Sequence, residues 1–290
     1  MSVYIHCGLR SPIGVLNGQY KHMRPEMLGA KVIDALINRH SISQVDGLFC
    51  GNAVGTGGNI GRLMGIMCNL PNSVPAITVD MQCASALMSI EMAYTYIASG
   101  VMDAVIAGGI ESSSLQPERV YALGDDRKGT YKVAQFTPQD QSPLAMLEGA
   151  ERTIYKHNIT KEDLYPHIIG SHQRASAALD NSYLQSYIMP ITIDGKRCVD
   201  ESIRPKLNEK LLSRMKPLLG ADSITNAGNA SLTHDGVAFV YLSNQPGPFK
   251  IHSVMPWAGN PQFSPEGALE STKAILNRSG LTMDDIDVVE

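Results

Sequence analysis

Five cysteines, Cys7, Cys50, Cys68, Cys83 and Cys198, are spread over 290 residues, and Cys83 stands where a thiol could act as a nucleophile. It follows a β-branched run that ends at Asp80. It precedes a long apolar segment in which Leu87, Ile90, Ala93, Tyr94 and Ile97 recur at helical spacing. Gly100 stops that segment, and a second strand, Ala104 to Ala107, ends in Gly108-Gly109. The pattern is strand, turn with Cys83, buried helix, strand. A cysteine at the first turn of a helix meets unpaired backbone N–H groups at the positive end of the helix dipole, which favours the nucleophilic thiolate. Spacing alone leaves a second reading open, because free cysteines are commonly buried as small hydrophobes.

Two other patterns invite chemistry and fail on spacing. The glycine-rich stretch from Gly51 to Gly61 resembles a dinucleotide loop, but Ile60 stands where the third glycine of the fingerprint would fall after Gly55 and Gly57. It reads as a flexible turn before a helix. His167 and His172 are five residues apart and do not share a helical face, so no metal site is expected. His172 and His234 are read as polar residues of a loop region with no assigned role.

Five is an odd number of cysteines and none form a C-x-x-C pair, which fits a reducing, cytoplasmic setting better than a disulfide framework. The longest apolar run is far short of a membrane span, and no signal-peptide pattern opens the chain. The net charge of −4 argues against nucleic acid as the partner. Residues 151–250 hold 12 Lys/Arg against 10 Asp/Glu, a mildly basic middle that suits either an anionic ligand or a solvated surface.

The elements that must position Cys83 follow in order. Residues 3–7 read as a strand, and a helix runs from Pro25 to about Asn38 with proline in its first turn. Val45 to Cys50 is a second strand, and Arg62 to Asn69 is helical. Strands alternating with helices imply parallel pairing and an α/β layer fold. After Ser114 the periodicity fades, and residues 115–143 read as a long loop. Helices follow over Leu144–Lys156, Ser171–Leu179 and Leu211–Met215. Thr160 and Asp163 form a capping-box-like helix start. Alternation resumes with a strand over Phe249–Val254, a helix over Glu266–Arg278 and a strand over Ile286–Val289. Three parts are expected: an α/β half over 1–114, a loop domain over 115–245, and the start of a second α/β half over 246–290.

The segment Thr78-Val79-Asp80-Met81-Gln82-Cys83-Ala84-Ser85-Ala86-Leu87 resembles the nucleophile motif of the thiolases, and Gly108-Gly109-Ile110-Glu111-Ser112 resembles the strand end that follows it. Arg10-Ser11-Pro12-Ile13-Gly14, Gly51-Asn52, Ser171-His172-Gln173-Arg174-Ala175 and Asn226-Ala227-Gly228-Asn229-Ala230-Ser231 with Asp235-Gly236 are similar to further thiolase motifs in the same order. The resemblance implies two similar α/β halves with five-stranded mixed sheets, a loop domain between them, and a homodimer or homotetramer. It implies an acyl-CoA acetyltransferase in which Cys83 takes the acyl group, in thiolysis or in Claisen condensation. Coenzyme A thioesters are then substrates, and no separate cofactor is implied. By position, Ser231 would lie on the pantetheine arm and Lys216 near the CoA nucleotide. Turn chemistry alone also explains Ser231, and a solvated surface lysine explains Lys216.

The sequence departs from that pattern. Cys-Ala-Ser-Ala stands for the usual Cys-x-Ser-Gly, and Asp80 for a frequent Asn. Leu232 follows Ser231 in place of Gly, and His234 replaces the usual Asn before Asp235-Gly236. The family's Asn-Glu-Ala-Phe, Gly-His-Pro and Cys-Gly-Gly-Gly motifs do not occur in these residues. The expectation is a chain ending before those motifs and inactive by itself, since a nucleophile without its base or proton donor turns over poorly. The alternative is a non-catalytic thiolase-like subunit that binds acyl-CoA or completes a hetero-oligomer. Ketoacyl synthases share the implied fold and the cysteine nucleophile, but their motifs fit Cys83 less well.

Overall fold

A computed structural model describes the chain except for residues 56, 134, 136, 137 and 139–141. Thr56 of the glycine-rich stretch and six residues of the expected 115–143 loop therefore lie outside the described residues. The chain divides into two compact units. The first comprises Met1–Pro117, Ala178–Ile203 and Leu232–Val254, and the second Glu118–Ala177, Arg204–Ser231 and Met255–Glu290.

In the first unit the elements run β1 (Tyr4–Arg10), β2 (Gly14–Val15), α1 (Pro25–His40), β3 (Gly47–Gly51), α2 (Ile60–Met67), β4 (Ala76–Val79), α3 (Ser85–Ala98) and β5 (Ala104–Ser112). The second unit contributes α4 (Ala145–Lys156) and most of α5 (Lys161–Leu179). The chain then returns to the first unit for β6 (His234–Ser243) and β7 (Phe249–Lys250), and α6 (Glu266–Ser279) lies in the second. Among the described residues one seven-stranded sheet forms in the order β7-β1-β6-β5-β3-β4, with β2 paired to β6.

The expected parallel pairing holds for β4, β3 and β5. It fails for β6, which lies antiparallel to both β5 and β1. The layer is thus mixed. A sequence cut at 245 assigns the β6 segment to a loop domain. In the structure, β6 pairs with β5 along nine consecutive residues, from Asp235↔Ser112 to Ser243↔Ala104. Its Val237, Phe239 and Leu242 are buried, which anchors the register because a one-residue slip would turn them to the opposite face.

Helix α1 covers one face of the sheet. Leu28, Val32, Ile33 and Leu36 meet Leu48, Ile106 and Phe239 in one apolar cluster. Helix α3 covers the other face, where Ala93 and Ile97 pack with Phe49, Val105, Ala107 and Leu242. Truncating a side chain such as Leu36 to Ala would cost about 2–5 kcal/mol. The expected buried helix is buried on one side: Ala93 and Ile97 are enclosed, but Leu87, read as part of the same apolar spacing, is 71% exposed. Of the two strands expected near the end of the sequence, Phe249–Val254 shortens to the two residues that pair with β1. Ile286–Val289 is not a strand. A strand needs a ladder partner, and none lies beside it among the described residues.

Candidate active site around Cys83

Strand β4 ends at Val79 and α3 begins at Ser85, so the connection must reverse direction within five residues. Three polar contacts fix it. The Gln82 N–H donates to Asp80 Oδ1 at 2.8 Å, the Met81 N–H donates to Ser85 Oγ at 2.8 Å, and that hydroxyl donates to the Gln82 carbonyl at 2.6 Å. Gln82 adopts φ 52°, an uncommon left-handed conformation for a residue with a side chain. Asp80 thus acts as a backbone acceptor, a role an Asn oxygen fills equally well. Cys83 projects from this locked turn and is exposed, whereas the other four cysteines are buried. Burial pushes the Cys50 thiol up to about 12 and the Cys7 thiol up to about 11, which makes them unreactive at neutral pH.

Two glycines let α3 close on the sheet. A Cβ on Gly51 would run into the Ser85 carbonyl carbon, and one on Gly109 would come within 2.8 Å of the Ala86 Cβ. The methyl of Ala86, a departure from Cys-x-Ser-Gly, is therefore accommodated by the bare backbone of Gly109. Further along, Ser89 Oγ accepts from the Gly108 N–H at 2.9 Å, stitching α3 to β5.

Cys83 opens on a cavity of about 420 Å³ whose wall includes Ile13, Asn52, Ala86, Glu111, His234 and Gly236. The Asn52 Nδ2 donates to the Ile110 carbonyl and to Glu111 Oε1, both at 2.9 Å. The Ala53 and Val54 N–H groups donate to Glu111 Oε2 at 2.9 and 3.0 Å. Glu111 therefore pins the loop after β3 to the end of β5. The sequence signalled both residues within motifs but gave neither a role. His234 was read as a loop residue. It is instead the first residue of β6 and part of the Cys83 cavity wall. His172, also left without a role, accepts the Arg204 N–H on Nδ1 at 3.2 Å.

Ser231 and Lys216 lie in the second unit and are both exposed. Their segments meet: Pro217 pairs with Asn226, and the Leu218 N–H donates to the Thr225 carbonyl at 2.9 Å. The loop leading to Ser231 is held by Glu151 on α4. Its carboxylate accepts from the Ile224 N–H at 2.8 Å, the Thr225 N–H at 2.9 Å, the Ser223 hydroxyl at 3.1 Å and the Thr225 hydroxyl. Burial acts to raise the Glu151 carboxyl, but these hydrogen bonds outweigh it and hold it below the usual carboxylate range. Asn226 and Asn229 continue the scaffold, with Asn229 Oδ1 accepting the Asn226 N–H at 2.7 Å. A cavity of about 500 Å³ in the same unit is lined by Arg204, Lys206 and Arg214 around Leu207, Leu211 and Met215. Lys216 follows that lining in sequence without joining it. The spacing of apolar residues at 207, 211 and 215, flanked by basic ones, was the signal for this cavity.

These features define a class, an α/β layered protein presenting one exposed cysteine at the start of a helix packed on its sheet. The comparisons are more specific. The chain matches the family model described as the thiolase N-terminal domain over residues 3–245. It is 30% identical to VraB of Staphylococcus epidermidis, a protein assigned as an acetyl-CoA C-acetyltransferase, over 97% of this chain and 77% of that one. VraB of Staphylococcus aureus strain MW2 is 28% identical over 97% of this chain and 78% of its own. The crystal structure of the Bacillus anthracis acetyl-CoA acetyltransferase superposes with a TM-score of 0.88 at 24% identity, covering 99% of this chain and 78% of that one. That likeness shows a shared fold. The chain belongs to the thiolase family.

Proposed function

We propose that the protein is an acyltransferase acting on acetyl-CoA or 3-ketoacyl-CoA, with Cys83 as the residue that carries the acyl group. The observation that carries this reading is Cys83 itself, exposed at a rigid turn before α3 and open to a cavity while every other cysteine is buried. In the step envisaged with acetyl-CoA, Cys83 Sγ bonds to the thioester carbonyl carbon, the carbon–sulfur bond to CoA breaks, and the thiol proton ends on the departing CoA. With a 3-ketoacyl-CoA, Sγ bonds to the 3-keto carbon, the bond between C2 and C3 breaks, and the proton ends on C2 of the departing acetyl-CoA. Splitting the transfer through a covalent intermediate replaces one difficult step with two easier ones. Backbone N–H groups at the start of a helix suit the developing oxyanion.

In this reading the second unit binds CoA. Ser231 contacts the pantetheine arm, and Lys216 contributes near the nucleotide. The cavity of Arg204, Lys206 and Arg214 over an apolar floor suits a phosphorylated, ring-bearing group. The Gly-His-Pro and Cys-Gly-Gly-Gly motifs are not among these 290 residues. A single acylation of Cys83 is expected to be observable. A homodimer or homotetramer is part of the proposal. It is supported by β4, which ends the sheet, and by Leu63, Ile66 and Met67, exposed on the neighbouring α2. The test is intact-protein mass spectrometry after incubation with acetyl-CoA. An acetyl adduct that maps to Cys83 supports the reading, and the absence of any adduct contradicts it.

A further inference from the structure

Gly51 of β3, Gly109 of β5 and Gly236 of β6 all border the Cys83 cavity. Residues paired across strands share a face of the sheet. Gly51 pairs with Gly109, Gly109 with Ala238, and Gly236 lies two residues before Ala238. The three glycines therefore open on one face. It is the face on which α3 packs, because a Cβ on Gly51 would strike Ser85 and one on Gly109 would come within 2.8 Å of the Ala86 Cβ. At the β6 end the neighbour is different: a Cβ on Gly236 would come within 2.9 Å of Ile13 Cδ1. The Ile13 side chain thus stands over β6, on the side of the sheet from which Cys83 projects. Ser85, two residues after Cys83, stands over β3. Strand β5 alone separates β6 from β3, a distance of roughly 10 Å.

Ile13 is fixed in that position by backbone. Its N–H donates to Asp200 Oδ1 at 2.7 Å, and its carbonyl accepts the Glu201 N–H at 3.0 Å. Asp200 is itself gripped by both terminal nitrogens of the Arg10 guanidinium at 2.8 Å. The Glu201 carboxylate accepts the Val15 N–H at 2.9 Å, two residues further on. All of these residues belong to the first unit. Other parts of the wall have less to offer a ligand. Asn52 and Glu111 are engaged with each other and with backbone. Ile110 and Val237 belong to the apolar cluster under α1, on the opposite face. Ile13 is then a rigid apolar wall facing Cys83 across bare glycine backbone.

We propose that Ile13 is a specificity-determining residue that limits the length of the acyl chain carried by Cys83. The substrate class is a straight, saturated acyl-CoA thioester of a few carbons, its chain lying over Gly109 and Gly236 with its end against Ile13. The inference rests on Cys83 being the acyl carrier and adds the residue that sets chain length.

Acetyl-, butyryl-, hexanoyl- and octanoyl-CoA test it, with the rate of adduct formation on Cys83 in the full chain followed by mass spectrometry. The wild type is expected to react about tenfold more slowly with octanoyl-CoA than with butyryl-CoA, the scale of overfilling a packed apolar site. Ile13→Ala opens the wall and should raise the octanoyl-to-acetyl rate ratio about tenfold, at roughly fourfold for each methylene newly buried. Ile13→Val, a change too mild to unseat the fold, should raise the same ratio about fourfold. Ile13→Phe should lower the butyryl-to-acetyl ratio. Circular dichroism matching the wild type reports an intact fold, and if Ile13→Ala fails that check, the ratio in Ile13→Val decides. A wild type indifferent to chain length, or a chain-length profile unchanged in Ile13→Val, would overturn the role of Ile13 and leave Cys83 acylation standing. Alkylation of Cys83 by iodoacetamide with no adduct from any of the four thioesters would instead overturn the acyl-transfer reading, and this inference with it.

Discussion

The turn that carries Cys83 and the loop that carries Ser231 are held in different ways. The Cys83 turn is closed locally by the Asp80 and Ser85 side chains and set on the sheet by backbone: β3, β4 and β5 in register, and two glycines that let α3 close on them. The Ser231 loop is positioned by side chains, with Glu151 reaching residues 72 to 74 positions further along the chain. The sheet beneath the Cys83 turn leaves no room for an added Cβ at Gly51 or Gly109. A site built by side chains depends on single hydrogen-bonding groups.

The largest expected effect is therefore Gly51→Val. The branched side chain would be driven into the first turn of α3, costing about 2–3 kcal/mol. It should lower the urea midpoint and change the alkylation rate of Cys83. An unaltered rate would mean that the sheet does not set the Cys83 geometry. Next comes Glu151→Ala, which takes the shared acceptor from the half-buried Ile224 N–H and the buried Thr225 N–H and should cost about 1–2 kcal/mol. It should weaken CoA binding, measured by calorimetry, while Cys83 alkylation stays as it was. A slowed alkylation would erase the contrast between the two regions.

The contrast also predicts where the sequence is informative. The strand, turn and helix around Cys83 announce themselves because the apolar spacing of Ile90, Ala93 and Ile97 and the breaks at Gly100 and Gly108-Gly109 are local signals. Strand β6 was missed because His234-Asp235-Gly236 reads as a turn, and its identity comes from pairing with β5 over a hundred residues earlier. The Glu151 clamp leaves no local trace, since a glutamate on a helix looks like any solvated charge. His234 was visible as a departure from the thiolase pattern, but its place in the Cys83 cavity depends on the register of β6 against β5 and β2. Ile286–Val289 has the composition of a strand but no ladder partner among the described residues.

Acid sharpens the same contrast on a smaller scale. The Glu151 carboxyl is held below its ordinary value, so its contribution is present above the unfolded carboxylate pKa and is lost as pH falls through the folded value. Stability measured by urea titration should drop below the ordinary glutamate range, and Glu151→Gln should flatten that part of the profile. A profile identical to wild type would remove Glu151 as an acid-sensitive clamp. The smallest effect is expected for Lys216→Ala. An exposed lysine should change stability by less than about 0.5 kcal/mol and CoA affinity less than Arg204→Ala does. The reverse order of affinities would move the nucleotide contact from the cavity to Lys216.

The central claim is that Cys83 alone among the five cysteines carries the acyl group. Peptide mapping of the acetyl-CoA-treated protein, with the Cys83→Ala variant beside it, tests this most directly. An adduct confined to the Cys83 peptide and absent from the variant is the expected result; undiminished labelling of Cys83→Ala would contradict it.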